Sequence, residues 1–295
     1  MRIKESRGDR IFNAFVYFVI ILLSLICIYP LYLVLINSFS DPHYVNLGQV
    51  WLYPKGISWD AYKETFADDR IVRGYWNTIT QTIVGTAINM TLTIPAAYAL
   101  SKKDLKGRAF FMTMIVITMY FGGGLIPSFI NMQNLKLLNK WIVIPLTGAV
   151  ASYDLIIART FFMSSVPHEL EEAAEIDGCS VVGTFFKIVL PLSKAMLGVI
   201  MLYYVVGHWN SFTAALYYTP ATDRHWPLQM VLRNMLQQIK IQEALGNQEM
   251  MDYFAKIMEQ IKYSVIVVSS VPVLILYPFL QKYFDKGVML GSIKG

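Results

Sequence analysis

Charge is what this 295-residue chain has least of. Asp, Glu, Lys and Arg make up 15% of it, against roughly 25% in soluble domains. Hydrophobic residues make up 55%, and the mean hydropathy is +0.46. The apolar residues gather in runs of about 20 or more, long enough to cross a bilayer. That pattern excludes a purely soluble domain. Cysteine is scarce: Cys27 falls in an apolar run and Cys179 outside one, which argues against a disulfide and offers no zinc spacing. There is no GxxxxGK[ST] loop, so the chain has no cradle of its own for ATP phosphates. Repeats, low-complexity tracts and the alternation of a β-barrel are also missing.

What is present reads as an all-α polytopic membrane protein in one domain. Six spans are predicted near 12–37, 75–100, 109–130, 141–165, 192–218 and 263–281. Spans this long must be helices, because lipid leaves no backbone group unpaired. The first run, Ile11 to Ile36, is too long for a signal-peptide core and lacks a small-residue cleavage site, so it is read as uncleaved. The net charge of +5 is not a nucleic-acid footprint, because the basic residues sit beside apolar runs. Arg2, Lys4, Arg7 and Arg10 precede span one, Lys102, Lys103, Lys106 and Arg108 follow span two, and Lys282, Lys286 and Lys294 follow span six. Six spans put these segments on one side, which the positive-inside rule makes cytoplasmic. Both termini, the loop 166–191 and the tail 282–295 are then cytoplasmic, in a multi-pass cell-membrane protein.

The loops 38–74 and 219–262 then face outward. The first is rich in Trp, Tyr and Pro and reads as a folded surface loop. In the second, Met251, Phe254 and Met258 recur at helical spacing. Two readings stand: a helix lying on the membrane interface, or a docking surface for an external partner.

The loop between spans four and five holds an unusual stretch, His168 to Gly178, HELEEAAEIDG, with five carboxylates and two adjacent alanines. Pro167 suits a first helical turn, with Ser164 or Ser165 as the cap. Acids near a helix N-terminus are favoured. Gly178 is expected to close that helix in a left-handed conformation, and Ser180 to cap a second helix over Val181 to Leu190. A helix lying on anionic headgroups would carry lysines, not carboxylates. Leu170, Ala173, Ala174 and Asp177 share a small, close-fitting face better suited to a protein groove.

These residues carry a resemblance. Glu172, Ala173, Ala174, Asp177, Gly178, Phe185, Ile188, Leu190 and Pro191 match the EAA loop of binding-protein-dependent ABC importer permeases, with Cys179 and Ala195 as mild departures. FGGGLIP (Phe121 to Pro127), HWNSF (His208 to Phe212), WPLQMVLR (Trp226 to Arg233) and KYFDKGVMLGSIKG (Lys282 to Gly295) resemble carbohydrate importers, and the ending is similar to the smaller permease subunit of the maltose-importer type. The resemblance implies the type I importer permease fold and a role in taking up oligosaccharides or polysaccharide fragments. It implies a second related permease, a cytoplasmic ATPase dimer holding ATP and Mg, and an extracytoplasmic sugar-binding protein. No cofactor is expected on this chain, which would not itself be an enzyme. The EAA helix would sit in a cleft of the ATPase, with Gly178 and Pro191 passing its motion into span five. Gly291 and Gly295 would enter the ATPase interface.

For the sugar path the candidates are Tyr203, Tyr204, His208, Trp209, Asn210 and Asp154. Tyr120, Asn131 and Gln133 near span three are further candidates. Aromatic belts would use the same Tyr and Trp residues. Gly122, Gly123, Gly124 and Pro127 either unwind span three or pack it closely, with packing favoured. Asp154 lines a cavity or bonds a partner permease; Arg159, five residues on, is poorly spaced to pair with it. An ion-coupled secondary transporter of a small polar solute is the alternative, with Asp154, Arg159, Lys194 and His208 as its few intramembrane polar groups. Paired catalytic groups for an intramembrane hydrolase are not apparent.

Overall fold

The structure is a computed structural model that describes residues 7–245, 260–272 and 274–275. Among the described residues there is no strand, only one isolated antiparallel bridge between Ser40 and Ile57. The helices in chain order are α1 (Arg7–Phe39), α2 (Pro42–Asn46), α3 (Asp60–Ala67), α4 (Asp69–Ser101), α5 (Arg108–Tyr120), α6 (Leu125–Asn134), α7 (Val143–Leu146) and α8 (Ser152–Ser165). Then come α9 (His168–Ile176), α10 (Val181–Thr184), a π-helical turn (Phe185–Val189), α11 (Leu190–Leu192), α12 (Lys194–Asn210), α13 (Thr213–Tyr218) and α14 (Leu228–Leu245). A further helix covers 260–272.

The chain divides into two compact units. Of the described residues, one comprises 7–68, 235–245 and 260–270, the other 69–234, 271–272 and 274–275. In the first, the end of α1 is knitted to the loop that follows it. The Asp41 carboxylate accepts from the His43 N–H at 2.8 Å and starts α2. The Phe39 ring stacks on Tyr62 and meets Trp59 edge-on, with centroids 5.3 and 4.9 Å apart. The fully buried Gln260 amide lies within hydrogen-bond distance of the Ser38, Ser40 and Ser58 carbonyls. Thr65 and Ser264 join hydroxyls at 2.9 Å. The loop is therefore folded, as its composition predicts.

The second unit is built around α4, whose neighbours are α7, α8 and α12. One stripe of α4 is polar: Asn77, Thr78, Gln81, Thr82, Thr86, Asn89 and Thr93 recur at three- and four-residue intervals and are all buried. Most of the stripe answers irregular backbone. Asn77 donates to the Arg224 and Trp226 carbonyls, Gln81 to the His225 carbonyl, and Thr78 accepts from the Leu228 N–H. Asn89 donates to the carbonyls of Gly148 and Ala149, each at 2.9 Å. Inside a membrane such backbone needs partners from the protein. Towards its C-terminus α4 turns apolar: Ile94, Ala97 and Tyr98 pack with Leu155, Ala158 and Phe162 of α8, Phe185 and Val189 of the π turn, and Met196 and Ile200 of α12.

Several spans are more broken than the sequence predicts. Among the described residues two helices, Gly8–Phe39 and Asp69–Ser101, are long and apolar enough to cross a membrane, or four if each bent pair counts as one span. Span three is α5 and α6, bent by 118° across Phe121 to Gly124. A Cβ built on Gly122 or Gly123 meets nothing within 4 Å, and Gly124 takes φ +83. These glycines unwind the helix; the close packing favoured from the sequence is not what they do within this chain. Span four is interrupted between α7 and α8, where the Asn89 amide completes the exposed carbonyls. Span five ends at Asn210 and resumes as α13. The later part of span six, the tail 282–295 with Gly291 and Gly295, and Met251, Phe254 and Met258 lie outside the described residues.

Candidate functional site: an acidic corner and a polar cavity

The corner after α8 begins with a proline. Pro167 disfavours helical backbone at the residue before it, and Val166 is extended (φ −104, ψ 107). α8 must end there. Ser164 and Ser165 therefore finish α8, their hydroxyls 3.3 Å apart and Ser164 Oγ bonded to the Phe161 carbonyl. They do not cap α9, as the sequence suggested. Pro167 itself occupies the cap position, one residue before the first turn.

α9 closes as expected. Gly178 takes φ +77, its N–H donates to the Glu175 carbonyl at 2.9 Å, and the Cys179 N–H donates to the Ala174 carbonyl at 2.8 Å. This is the double bond pattern of a Schellman end. Space around Gly178 is open, so the glycine is required for its backbone angle. Ser180 Oγ then accepts the Gly183 N–H at 3.1 Å and caps α10. The second helix was expected as one α-helix to Leu190, but it widens into the π turn after four residues. Pro191 has no N–H to close on the carbonyl four residues back, and a wider turn relieves that mismatch. The direction then changes by 84° into α12.

The two faces of α9 differ. Glu171 and Ala174 turn inward. The Tyr98 hydroxyl donates to Glu171 Oε1 at 2.9 Å, Lys102 forms an ion pair with Glu171, and Ala174 is buried. Glu172, Ala173, Asp177 and Gly178 are exposed, and Ile176 is 86% exposed. Of the two alanines expected to allow close approach, only Ala173 faces out. Phe185 is buried against the Tyr98 ring at 4.9 Å, Ile188 is half-buried and Pro191 is exposed.

At the other end of the second unit lies a cavity of about 490 Å³ whose walls include Asp154, Tyr203, Tyr204 and His208 together with Ser128 and Thr147. Four of the six path candidates therefore converge. Trp209 is buried within the chain, and Asn210 donates back to the Val206 carbonyl at 3.0 Å; neither lines the cavity. Helical geometry explains the split, since 204 and 208 share a face of α12 and 209 points about 100° away. Tyr120, Asn131 and Gln133 are not among its walls either. Hydrogen bonds brace the wall. His208 Nε2 meets Asn89 Oδ1 at 2.6 Å, the Tyr204 hydroxyl meets Thr93 Oγ1 at 2.7 Å, and the Ala151 N–H donates to Tyr204 at 3.2 Å. A Cβ on Gly85 would overlap the His208 imidazole, so the glycine makes room for the ring. Arg159 does not pair with Asp154; its Nε donates to the Leu100 carbonyl at 2.9 Å, at the C-terminal end of α4.

The model of the family of binding-protein-dependent transport system inner membrane components matches residues 5–290. The chain belongs to this family. It is 39% identical over 288 residues to the polygalacturonan/rhamnogalacturonan transport system permease protein YtcP of Bacillus subtilis (strain 168), covering 97% of this chain and 99% of that one. It is 38% identical to protein LplC of the same organism, covering 92% and 90%. Among solved structures, it matches a bacterial ABC transporter involved in the import of the acidic polysaccharide alginate, with a TM-score of 0.85, 32% identity, and 96% and 99% coverage. The all-α fold is thus that of an importer permease.

Three residues of this permease that frame the corner were not picked out from sequence for that role: Glu171, Tyr98 and Lys102. Their partners lie 69 and 73 residues apart, beyond any local spacing rule. Asn89 and Thr93, which brace the cavity wall, were missed too. Their signal was available: polar residues at helical spacing inside a span.

Proposed function

We propose that this chain is a permease subunit of an ATP-driven importer of oligosaccharides. With a second, related permease it would form the path through the membrane, receiving sugar from an extracytoplasmic binding protein. A cytoplasmic ATPase dimer, which holds ATP and Mg, would drive it through α9. Both termini would be cytoplasmic. The observation that carries the reading is the outward face of α9. A short helix, closed at its C-terminus by two backbone hydrogen bonds, presents Ala173, Ile176 and Asp177 on its exposed side. Ile176 is 86% exposed, and Leu170, Val181, Val182 and Phe186 of the same corner are exposed as well; apolar exposure of this extent beside carboxylates fits a protein groove better than water or anionic lipid.

The cavity supports the sugar side of the reading. Tyr203 and Tyr217 offer aromatic faces and hydroxyls, and Asp154 and Ser128 offer hydrogen-bonding groups, while Tyr204 and His208 are tied into the wall behind them, as a site for a hydroxyl-rich ligand requires. The relative named as a polygalacturonan/rhamnogalacturonan permease and the solved structure of an alginate importer support the same class.

Sugar uptake in a strain complemented with variant chains tests the reading. Ala173→Asp places a charge on the outward face, and Gly178→Pro is incompatible with φ +77. Both are expected to abolish uptake while the chain still inserts into the membrane. Uptake at the unaltered rate with both variants would refute the assignment.

A further inference from the structure

Motion of α9 has two routes into the rest of this unit. The covalent route runs through α10 to α12. It is indirect: Gly178 turns the chain in a left-handed conformation, the π turn follows, and the direction changes by 84° before α12. The second route is lateral and tightly packed. Glu171, on the inward face of α9, is gripped by the Tyr98 hydroxyl at 2.9 Å and by Lys102. The Lys102 ammonium also lies 4.2 Å from the centre of the Tyr98 ring. The same ring contacts Phe162 of α8 at 5.6 Å and Phe185 of the π turn at 4.9 Å. Tyr98 stands in the last turn of α4, the helix around which the unit is built, and Lys102 follows directly after its end at Ser101.

We propose that Glu171, Tyr98 and Lys102 form a latch that makes α9 and the end of α4 move as one body, so that α4 is the main receiver of motion delivered to the corner. The proposal rests on the reading of α9 as the helix engaged by the ATPase, and it assigns positioning roles to three residues outside the matched EAA positions. Its physical basis is a contrast in directness. A partly desolvated ion pair reinforced by a hydroxyl and a cation–π contact resists separation, whereas the covalent path passes a residue at positive φ, a π turn and a sharp bend before it reaches α12. Both partners of the pair are mostly shielded, with side-chain exposures of 26% for Lys102 and 14% for Glu171. Removing one would leave the other charge poorly solvated.

Two measurements on the complete reconstituted transporter test this. Spin labels on Lys103→Cys and Glu175→Cys, in a background lacking Cys27 and Cys179, report the distance between the end of α4 and α9. The latch predicts the same distance with and without bound ATP; a shift between the two states overturns it. Sugar imported per ATP hydrolysed gives the second readout. Glu171→Lys or Lys102→Glu alone is expected to lower that ratio about tenfold with the ATPase still bound, and the two changes together are expected to restore most of it. An unchanged ratio in both single variants, or no recovery in the double reversal, overturns the latch. If the ATPase does not co-purify with the unaltered chain, the importer reading itself fails, whatever the latch variants do.

Discussion

Helices α1 and α4 are both 33 residues long, and they solve different problems. The most apolar stretch of α1 has a mean hydropathy of 2.8 and is 6% buried, while that of α4 has 1.4 and is 44% buried. α1 is apolar on every side, and its side chains from Ile11 to Leu31 are largely exposed. Its polar contacts gather near its end, where the Tyr29 and Tyr32 hydroxyls donate to the Trp51 and Leu52 carbonyls and Asn37 and Ser38 are buried. α4 gives up hydropathy for amides and hydroxyls, and these hold the broken backbone of 147–151 and 222–228 in place. Hydropathy thus measures how a helix meets its solvent, and the polar residues within a span mark the helix that organises its neighbours.

Breaking the α4 ladder should hurt most. Asn89→Leu leaves the Gly148 and Ala149 carbonyls and the His208 ring without their shared partner. It is expected to cost roughly 3 kcal/mol, read as a lowered midpoint in thermal or detergent-induced unfolding of the purified chain. Gly85→Ala, which drives a methyl group into the His208 imidazole, should cost about 2 kcal/mol and blunt uptake by displacing the cavity wall. At the other extreme, Leu23→Ala on exposed α1 should change the stability of the purified chain by no more than about 0.5 kcal/mol and leave the unfolding midpoint nearly where it was. If the α1 substitution proved as damaging as Asn89→Leu, the contrast between the two helices would be lost.

The corner was the most legible part of the site, because its chemistry is local. Gly178 and Ser180 announce a helix end and a helix start within three residues, and both behave as their side chains dictate. The neighbouring errors have equally local causes. Val166, forced extended by Pro167, ended α8 and left Ser164 and Ser165 on the wrong side of the boundary. Pro191 widened a helix that apolar periodicity had drawn straight. The inward turn of Ala174 was hidden because a motif names residues without naming their faces. The cavity was half legible: aromatic and polar residues in one span were visible, but separating Tyr204 and His208 from Trp209 needed the phase of α12. The latch was invisible, since Glu171 meets Tyr98 and Lys102 only through the tertiary fold. Span breaks at Gly122 to Gly124 were weighed and assigned the other way. Lipid-scale hydropathy does not register a glycine run that opens a helix into free space.

The outward face of α9 is the central claim, and a cross-link reads it directly. Ala173→Cys, in a chain with Cys27 and Cys179 replaced, would be labelled in the assembled membrane complex with a reagent that carries a thiol-reactive maleimide and a short photoactivatable benzophenone, and then illuminated. The account predicts a covalent product with the ATPase subunit whose yield changes when ATP binds. A cysteine at that position that reacts only with lipid-borne or water-soluble reagents, and never with the ATPase, would contradict it.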